Sequence, residues 1–386
     1  MPRVLSYNFH SQAKCGGDSE YSFLATEAED SMQVEITKRD YSLVGRETKL
    51  AEERGLANAE WYSCKISRQR LKELMQRRDG PAIRDTLIWF AVLIISGTLG
   101  YLTWGTWWAV PCFAVYGVIY SSSSDSRWHE SGHRTAFKTV WMNDVLYEIA
   151  SFMVFRESVP WRWSHTRHHT DTIIVGRDPE IAVPRPPDLL GIALSFFSLN
   201  KAPKEFVKMV RHCFGRLNPA EETYIPNEER PKVYRNARIY ILIYAAVITW
   251  AIAIHSILPL MYIGLPSFYG SWLMVIFGLT QHAGLAEDVL DHRLNCRTVY
   301  MNPIFRYLYW EMNYHVEHHM FPMVPYHALG KLHQELKADM PKPYNGLWAA
   351  YREIIPVTLR QVKEPTYFIR RQLPGTVKPV TSLEPA

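Results

Sequence analysis

Nine of the fifteen histidines of this chain fall into short groups whose spacing could hold metal ions. The groups are WHESGH at 128–133, HTRHH at 165–169, LTQHAG at 279–284 and HVEHH at 315–319. They supply His129, His133, His165, His168, His169, His282, His315, His318 and His319. On a helix, positions i, i+3 and i+4 share one face, so each HxxHH can present three imidazoles to one place. We therefore predict that all nine are metal ligands.

The number of histidines argues against a single zinc ion. HExxH, with Glu130 between the two histidines, is the pattern in which zinc peptidases bind their metal. A catalytic zinc takes three protein ligands and keeps one open position, so a peptidase would leave about six histidines unexplained. Two ions sharing nine ligands fit the number better, although imidazole suits Zn, Cu, Fe and Ni alike. A membrane zinc peptidase and a non-catalytic metal-binding protein remain the alternatives of another class.

Several carboxylates near these groups could accept the second ring N–H and thereby orient each histidine. The candidates are Glu130, Asp171, Asp178, Glu180, Glu287, Asp288, Asp291 and Glu317. His292 in LDHRLN stays undecided as a ligand. The remaining histidines are expected to be surface or satisfied core residues, namely His10, His212, His255, His327 and His333.

The elements that must position these groups are apolar segments long enough to cross a membrane. Residues 86–124 and 239–286 contain no Asp, Glu, Lys or Arg. Since a spanning helix needs about 20 apolar residues, each window predicts a pair of spans. The expected spans are 86–104, 106–121, 239–258 and 266–280. The fold class that follows is all-α and integral to the membrane, with four transmembrane helices in two hairpins and a cytoplasmic helical cap holding a two-metal site.

The positive charges predict the orientation of these hairpins. All 43 Lys and Arg residues lie outside the two uncharged windows. The positive-inside rule therefore places both termini, the central loop and all the histidine groups in the cytoplasm, as in a multi-pass protein of a bacterial inner membrane. The net charge of +5 fits contact with anionic lipid heads. It does not favour nucleic acid as a partner, because no dense basic patch with stacking aromatics is present.

The regions outside the spans form separate parts of the chain. Residues 1–45 lack periodicity and are predicted to be a mobile tail, and residues 46–85 a peripheral helical region. Residues 86–353 would form the membrane metal domain, and residues 354–386 a C-terminal tail. Short apolar pieces between the hairpins, such as residues 189–199, predict helices lying at the membrane interface.

HESGH, HTRHH and NYHVEHHMFP, with GRDPE at 176–180, resemble the three histidine boxes of the membrane fatty-acid desaturase and hydroxylase superfamily. The resemblance covers about residues 80–345. It implies a non-haem centre of two iron ions bound by the nine histidines above, with O2 as co-substrate and removal of hydrogen from an unactivated C–H bond of a lipid or hydrocarbon-like substrate. Asn313 and Gln281 match the water-bridging amide that family members often place near the isolated ligand. Beyond the metal ligands, no separate catalytic residue is expected.

The boxes do not distinguish a desaturase from a hydroxylase or monooxygenase. The chain lacks the HPGG haem-binding segment of fused cytochrome b5 domains and has no GxGxxG for flavin or nicotinamide. Electrons are therefore expected from another protein, a ferredoxin and its reductase. The chain is also similar to a hydrocarbon oxygenase of bacterial rhizopine catabolism, which would favour an oxygenase served by a Rieske-type ferredoxin on a small, less lipid-like molecule.

Overall fold

The computed structural model describes residues 39–374, and the compact unit that contains the histidine groups begins at Asp40. Residues 1–38 of the tail predicted at residues 1–45 therefore lie outside the described residues. The first half of the unit is helical. Its helices are α1 (Arg46–Glu53), α2 (Arg68–Leu74), α3 (Asp79–Leu102), α4 (Ala109–Gly117), a π-helical turn (Val118–Ser122), α5 (Ser123–Gly132), α6 (Val140–Met153), α7 (Ser158–Thr170), α8 (Leu189–Ser195), α9 (Ala202–Cys213) and α10 (Pro219–Glu222).

The second half adds helices and one short parallel strand pair. Its elements are a 3-10 turn (Asn227–Glu229), α11 (Arg230–Ala253), α12 (Leu258–Tyr262), α13 (Pro266–Tyr269), α14 (Trp272–His282), α15 (His292–Asn295), β1 (Val299–Tyr300), α16 (Pro303–Leu308), α17 (His315–Met320), α18 (Tyr326–Leu336), a 3-10 turn (Lys337–Asp339), β2 (Tyr344–Asn345) and α19 (Leu347–Gln361). The strands pair in the register Val299 to Tyr344 and Tyr300 to Asn345.

Two of the four expected spans coincide with long apolar helices. The segments Arg68–Leu102 and Asn227–Ala253 have the length and composition needed to cross a membrane. They contain the helices that overlap the first and third expected spans. Apolar side chains on them face outward, among them Leu87 and Leu102, which are 64% and 70% exposed. Leu87 and Leu102 lie on the part of helix α3 that follows Asp85 and carries no charged side chain, and such exposed apolar surface fits contact with lipid.

The second and fourth expected spans are built differently from single apolar helices. The helical run through α4 continues across the π turn into α5, so the first histidine box lies on the continuation of the same rod. The fourth expected span is broken at Gly270 into α13 and α14. The break follows from close packing, because a Cβ on Gly270 would lie 2.0 Å from the carbonyl oxygen of Gly117.

A hydroxyl group fastens the π turn to this break. The Ser122 hydroxyl donates to the Gly270 carbonyl at 2.6 Å and accepts from the Met274 amide at 2.8 Å. The broken helix thereby regains polar partners for backbone groups that its own turns cannot satisfy. This joint brings α5, which carries the first box, beside α14, which ends at His282.

Helices α6, α8 and α9 carry apolar side chains on their exposed sides. Trp141 of α6 and Leu190 of α8 are 62% and 69% exposed, and Val207 of α9 is 58% exposed. Each of these helices is too short to cross a membrane. Their exposed apolar faces fit the expectation of helices lying at the interface.

The C-terminal boundary differs from the expected tail at residues 354–386. Helix α19 runs on to Gln361, and the Ile369 amide donates to the Gly284 carbonyl at 2.9 Å. Phe368 and Leu373 pack against a small buried cluster that includes Val289. At least residues 354–374 therefore belong to the folded unit, because apolar residues beyond the helix pack against the segment that follows His282.

Candidate metal centre

Each histidine group lies on a helix or at a helix end. The first box occupies the C-terminal turn of α5, and HTRHH fills the last turns of α7. His282 is the last residue of α14, and HVEHH makes up most of the short helix α17. Helical spacing brings the imidazoles of each box to the same region, but HTRHH and HVEHH each divide their three rings between two adjoining groups instead of presenting them to one place.

Five of the nine imidazoles form one compact group, here called the five-histidine group. Its members are His129, His133, His165, His169 and His318. One ring nitrogen of each lies within 4.8 Å of those of the others. The His165 Nε2 atom is 3.1 Å from His133 Nε2 and 3.2 Å from His169 Nε2. The His169 Nε2 atom is in turn 3.2 Å from His318 Nε2.

The other four imidazoles form the four-histidine group. Its members are His168, His282, His315 and His319. The His315 Nε2 atom lies 3.0 Å from both His282 Nε2 and His319 Nε2. The two groups adjoin, since the His169 and His319 rings stack at 4.3 Å between centroids. All nine predicted histidines are therefore brought together.

Hydrogen bonds at Nδ1 determine which nitrogen of several rings is free to bind a cation. His282 Nδ1 lies 2.8 Å from the Asn295 carbonyl, which can only accept, so Nδ1 carries the proton and Nε2 the lone pair. His165 Nδ1 donates to Glu180 at 2.9 Å, and His168 Nδ1 donates to Asp178 at 2.8 Å. Their Nε2 lone pairs point into the two groups.

Metal ligation would account for these short nitrogen–nitrogen distances. Two nitrogens bound at about 2.1 Å to one ion lie about 3.0–3.4 Å apart when the bond angle is roughly 90–110°. Several of these Nε2 atoms carry lone pairs, which repel one another unless a cation lies between them. Neither ring nitrogen of the buried His129 has a hydrogen-bond partner within residues 39–374. Buried polar atoms without a partner are costly, and a metal ion in the five-histidine group would satisfy them.

Asp178 and Glu180 occupy the positions expected of orienting carboxylates. Asp178 also accepts from the Ile173 amide at 2.7 Å, and the Ser164 hydroxyl donates to Glu180 at 2.8 Å. Burial opposes the charge of Glu180, but the neighbouring His165 and His168 outweigh it and lower the pKa of Glu180 to about 2. GRDPE therefore supplies two fixed acceptors for the second box.

Two orienting residues were missed by the sequence reasoning because neither is a carboxylate. The Thr172 hydroxyl donates to the His168 carbonyl at 2.7 Å and accepts from His319 Nδ1 at 3.1 Å. Asn295 uses its backbone carbonyl for His282 and donates its amide to the Thr172 carbonyl at 3.1 Å. A backbone carbonyl and a hydroxyl have no sequence pattern that marks them as partners of histidine.

Glu130 is buried, and its hydrogen bonds come from residues other than the nine histidines. Its Oε2 accepts from the Thr135 hydroxyl at 3.0 Å and from the Tyr326 amide at 3.2 Å. Its Oε1 lies 3.7 Å from His318 Nδ1, beyond ordinary hydrogen-bond length. Burial raises the pKa of Glu130 to about 8, so the side chain takes up a proton well above the usual range of a carboxyl group.

Three predicted partners of the metal ligands bind elsewhere. Glu317 lies on α17 but contacts His333 Nδ1 and accepts from the Thr298 hydroxyl at 2.6 Å. Asn313 donates to the Val299 carbonyl at 2.9 Å, and Gln281 donates to the Tyr309 hydroxyl at 2.7 Å. Glu317 therefore contacts His333 and Thr298 instead of orienting any of the nine histidines. The water-bridging role expected of Asn313 or Gln281 stays a prediction.

The remaining carboxylates near the boxes also stabilise the fold instead of the histidines. Asp171 pairs with Arg167 and Arg177, and Asp291 with Arg293. Glu287 accepts from the Tyr41 hydroxyl at 2.8 Å, and Asp288 accepts from the Val175 amide at 2.9 Å. These contacts join sequence-distant loops around the centre.

His292 lies beside the four-histidine group without belonging to it. Its ring centroid is 5.2 Å from that of His319, and its other face stacks on Trp61 at 4.3 Å with an interplanar angle of 7°. Burial lowers the pKa of His292 to about 3. Cys296 is nearby, with Sγ 3.7 Å from His282 Nδ1, and burial raises the pKa of its thiol.

A cavity of about 100 Å³ reaches both histidine groups. His129 and His165 of the five-histidine group and His168, His282 and His315 of the four-histidine group line one side of it. Charged side chains line part of the rest, including Asp125, Arg156, Arg185 and Glu287. A small molecule or one end of a larger one could therefore meet both groups at once.

Comparison with known proteins places this arrangement in a family. A sequence model described as fatty acid desaturase matches residues 102–351. A Delta(12)-acyl-lipid-desaturase of Punica granatum is 29% identical over 92 residues, 24% of this chain and 22% of that protein. A Delta(12)-fatty-acid desaturase of Arabidopsis thaliana is 30% identical over 92 residues, with the same shares covered.

A third relative matches over a longer stretch. A Delta(5) fatty acid desaturase of Caenorhabditis elegans is 24% identical over 311 residues, covering 68% of this chain and 67% of that protein. The match to the plant relatives spans about a fifth of their length. The family match, by contrast, covers more than half of this chain and contains all nine clustered histidines, so the chain belongs to the fatty acid desaturase family.

Proposed function

We propose that this chain is a membrane-bound, O2-dependent di-iron oxidoreductase that desaturates a lipid acyl chain. The observation that carries the proposal is the convergence of nine imidazoles into two adjoining groups with Nε2 atoms 3.0–3.2 Å apart. Membership of the fatty acid desaturase family supports the reaction type and the lipid substrate.

The five-histidine group would hold one iron and the four-histidine group the other. When bound, the iron pair would supply activation of O2 for removing hydrogen from an unactivated C–H bond. The protein orients the rings, since Asp178, Glu180 and Asn295 keep protons on Nδ1 and leave the Nε2 lone pairs facing inward. The burial of His168, His315 and His319 would keep bulk water from the reacting centre.

The membrane part of the proposal rests on exposed apolar surface. The two long apolar helices would span the bilayer, and the π-interrupted rod of α4 and α5 together with α13 and α14 would complete four spans. The positive-inside rule then puts the histidine groups on the cytoplasmic side. A bacterial inner membrane is the location we propose.

The cavity favours a second candidate reaction. A substrate carbon must come within about 3–3.5 Å of the attacking group. The ion pairs of Asp125 with Arg156 and of Arg185 with Glu287 make part of the cavity wall polar, which suits a substrate that carries a polar group beside its apolar part. Hydroxylation of a smaller polar substrate is therefore the alternative reaction at the same centre.

The electrons would come from a separate protein. Desaturation removes one hydrogen from each of two adjacent carbons, and with one O2, two electrons and two protons it gives a double bond and two molecules of water. We propose a ferredoxin, in the alternative reaction of the Rieske type, with its reductase as the source of the two electrons.

The peptidase alternative is disfavoured by the environment of Glu130. Its Oε2 accepts from Thr135 and Tyr326, its Oε1 faces His318 Nδ1 at 3.7 Å, and the side chain is fully buried. A peptidase base needs a water or substrate within hydrogen-bond reach. A role in shaping α5 beside α18 suits this geometry better.

Expression with a ferredoxin and its reductase, followed by mass spectrometry, tests the proposal. Lipids and added small substrates should show loss of two hydrogens for desaturation, whereas gain of one oxygen atom would indicate hydroxylation. Purified protein should contain two irons per chain, and H168A or H319A should lower both iron content and turnover. H327A, a histidine outside both groups, is the matched control and should keep its iron.

One zinc per chain with no iron would contradict the proposal. So would full turnover in both H168A and H319A, because each removes a ligand from the four-histidine group. Iron binding with neither product would leave a metal-binding protein as the better description.

A further inference from the structure

A stacked ring pair connects the surface of the protein to the four-histidine group. Trp61 lies between α1 and α2, is partly exposed, and stacks face to face on His292 at 4.3 Å and 7°. His292 is 3% exposed, and its ring centroid lies 5.2 Å from that of His319. The rings of Trp61, His292 and His319 thus form a series that begins at the surface and ends at His319, a proposed iron ligand.

The protein fixes this ring pair from both sides. The Trp61 Nε1–H donates to the Thr170 carbonyl at 3.2 Å, at the end of the helix that carries the second box. The next residue, Tyr62, donates its backbone amide to the Leu290 carbonyl at 2.8 Å, two positions before His292. These bonds hold the segment around Trp61 against the metal centre, so the stacking is not a chance contact of a loose loop.

His292 lies between Trp61 and His319, a position that suits the transfer of electrons. Its Nδ1 has no hydrogen-bond partner among residues 39–374, and its ring lies with Cys296 and His319 in a group whose possible ligand atoms are within 4.8 Å of one another. Iron binding by His292 is therefore the competing role, which the His292 variants below decide. His168, His315 and His319 are at most 4% exposed, so a protein reductant cannot touch these three ligands directly, whereas His282 of the same group is half-buried. Electronic coupling falls steeply with the gap between redox groups, and contacting aromatic rings shorten each gap.

We propose that Trp61 and His292 form the route by which electrons from a one-electron carrier protein reach the iron pair. The inference rests on the proposed function. In each transfer one reduced carrier is oxidised and one ferric ion becomes ferrous. Two such transfers supply the two electrons that desaturation requires. Trp61 lies outside the residues matched by the family, 102–351, so this route would be a property of this chain's own N-terminal region.

The test compares two reductants in the iron-loaded protein without oxygen or substrate. Iron reduction is followed optically after mixing with reduced ferredoxin or with dithionite, a small ion that can enter through the cavity. W61L should keep wild-type iron content and dithionite kinetics but slow reduction by ferredoxin several-fold. W61F, which keeps a stacking ring, should slow reduction by ferredoxin less than W61L does. W348L is the matched control, since Trp348 is 77% exposed on α19, and should match the wild type.

Variants at His292 separate electron transfer from iron binding. H292F keeps a ring and should retain two irons and near wild-type reduction by ferredoxin, whereas H292L should retain iron but be reduced several-fold more slowly.

Wild-type ferredoxin kinetics in W61L would overturn the inference, and so would loss of iron in H292F, which would make His292 a ligand. If iron reduction in W61L is slower with both ferredoxin and dithionite, and the variant also loses iron, the inference is overturned as well, since Trp61 would then be structural. All these outcomes leave the proposed function intact, whereas wild-type protein without iron overturns both.

Discussion

At the scale of single residues, the partner of Nδ1 decides what each histidine can do. His168 and His165 donate to carboxylates, and their Nε2 atoms face the two groups. His333 contacts the carboxylate of Glu317 through Nδ1 and the Tyr300 hydroxyl through Nε2, so both its nitrogens are satisfied in the core. The same side chain therefore serves as a proposed ligand in one place and as a core residue in another.

Removing the charge of Asp178 should weaken iron binding without unfolding the protein. In D178N the amide can no longer hold the proton on His168 Nδ1 as firmly, and loss of such a partner typically costs about 10–100-fold in metal affinity. Iron retention against a chelator measures this. E364Q, an exposed carboxylate paired with Arg360, is the control. Equal retention in D178N and E364Q would contradict the orienting role.

At the scale of elements, the joint between the π turn and the break at Gly270 sets the distance between two histidine-bearing helices. Gly117 and Gly270 approach so closely that neither can carry a side chain without movement. Insertions of π geometry are often found at functional sites. Here the turn lies two helical turns before His129, and the break lies at the start of the helix that ends in His282.

Adding one methyl group at this joint should disturb the centre. G270A forces the backbones of α4 and α14 apart, at a cost of about 1–3 kcal/mol in unfolding free energy. Thermal unfolding in detergent and iron content should both fall. G278A is the matched control on the same helix, because its Cβ would meet no described atom within 4 Å. The interpretation fails if G270A and G278A behave alike.

A second element-scale feature is the buried histidine that joins α9 to its neighbours. His212 Nδ1 contacts Glu157 at 2.6 Å and its Nε2 contacts Glu221 at 3.0 Å, with Lys208 3.4 Å from Glu221. Burial lowers the pKa of His212, but the two carboxylates outweigh it and raise the pKa to about 9. Burial raises the pKa of Glu157, whereas burial at Glu221 is outweighed by His212 and Lys208, which lower its pKa.

The stability that His212 contributes should decline in alkaline solution. Since its folded-state pKa is raised from 6.5 to about 9, the contribution is complete below pH 6.5 and is lost as the pH rises through about 9. The shift corresponds to about 3 kcal/mol. Thermal unfolding between these pH values should show a falling midpoint in the wild type. H212Q should have a lower midpoint than the wild type at pH 6.5, and its midpoint should hardly change across the range. A midpoint that falls equally with pH in both proteins would count against this assignment.

At the scale of the whole molecule, four segments far apart in sequence meet at one centre on one side of the proposed membrane. The N-terminal region covers this centre through Trp61, and the segment after α19 packs on it through Ile369. With the four spans proposed above, each histidine group would follow the second or the fourth span, and all four groups would lie on the same face of the membrane.

Labelling from outside the cell tests this arrangement. In a variant without the five native cysteines, T106C in the turn before α4 should react with a membrane-impermeant maleimide in intact cells. T166C, exposed on the helix of the second box, should react only after permeabilisation. Iron content of the background variant shows that it is folded. Labelling of both positions from the outside would contradict four spans with an inner metal centre.

The nine-histidine set and the apolar segments were predictable from sequence because both depend on local spacing. An imidazole at i, i+3 and i+4 faces one way on any helix, and an uncharged run of sufficient length is apolar wherever it lies. The pairing of Asp178 and Glu180 with the second box was also within reach, since both carboxylates follow that box closely along the chain.

The tertiary structure alone decided how the nine imidazoles divide into five and four, which polar groups hold them, and where the fourth apolar segment breaks. Glu317 contacts His333, His319 is hydrogen-bonded to Thr172, and His282 donates to a backbone carbonyl. Glu317 lies 16 residues from His333 and His282 lies 13 residues from Asn295, whereas His319 and Thr172 are 147 residues apart. All three contacts depend on how these segments fold against one another, and the break in the fourth apolar segment depends on the approach of Gly117 to Gly270. No local pattern encodes such contacts, because the free energy of each one is set by neighbours that the sequence does not place side by side.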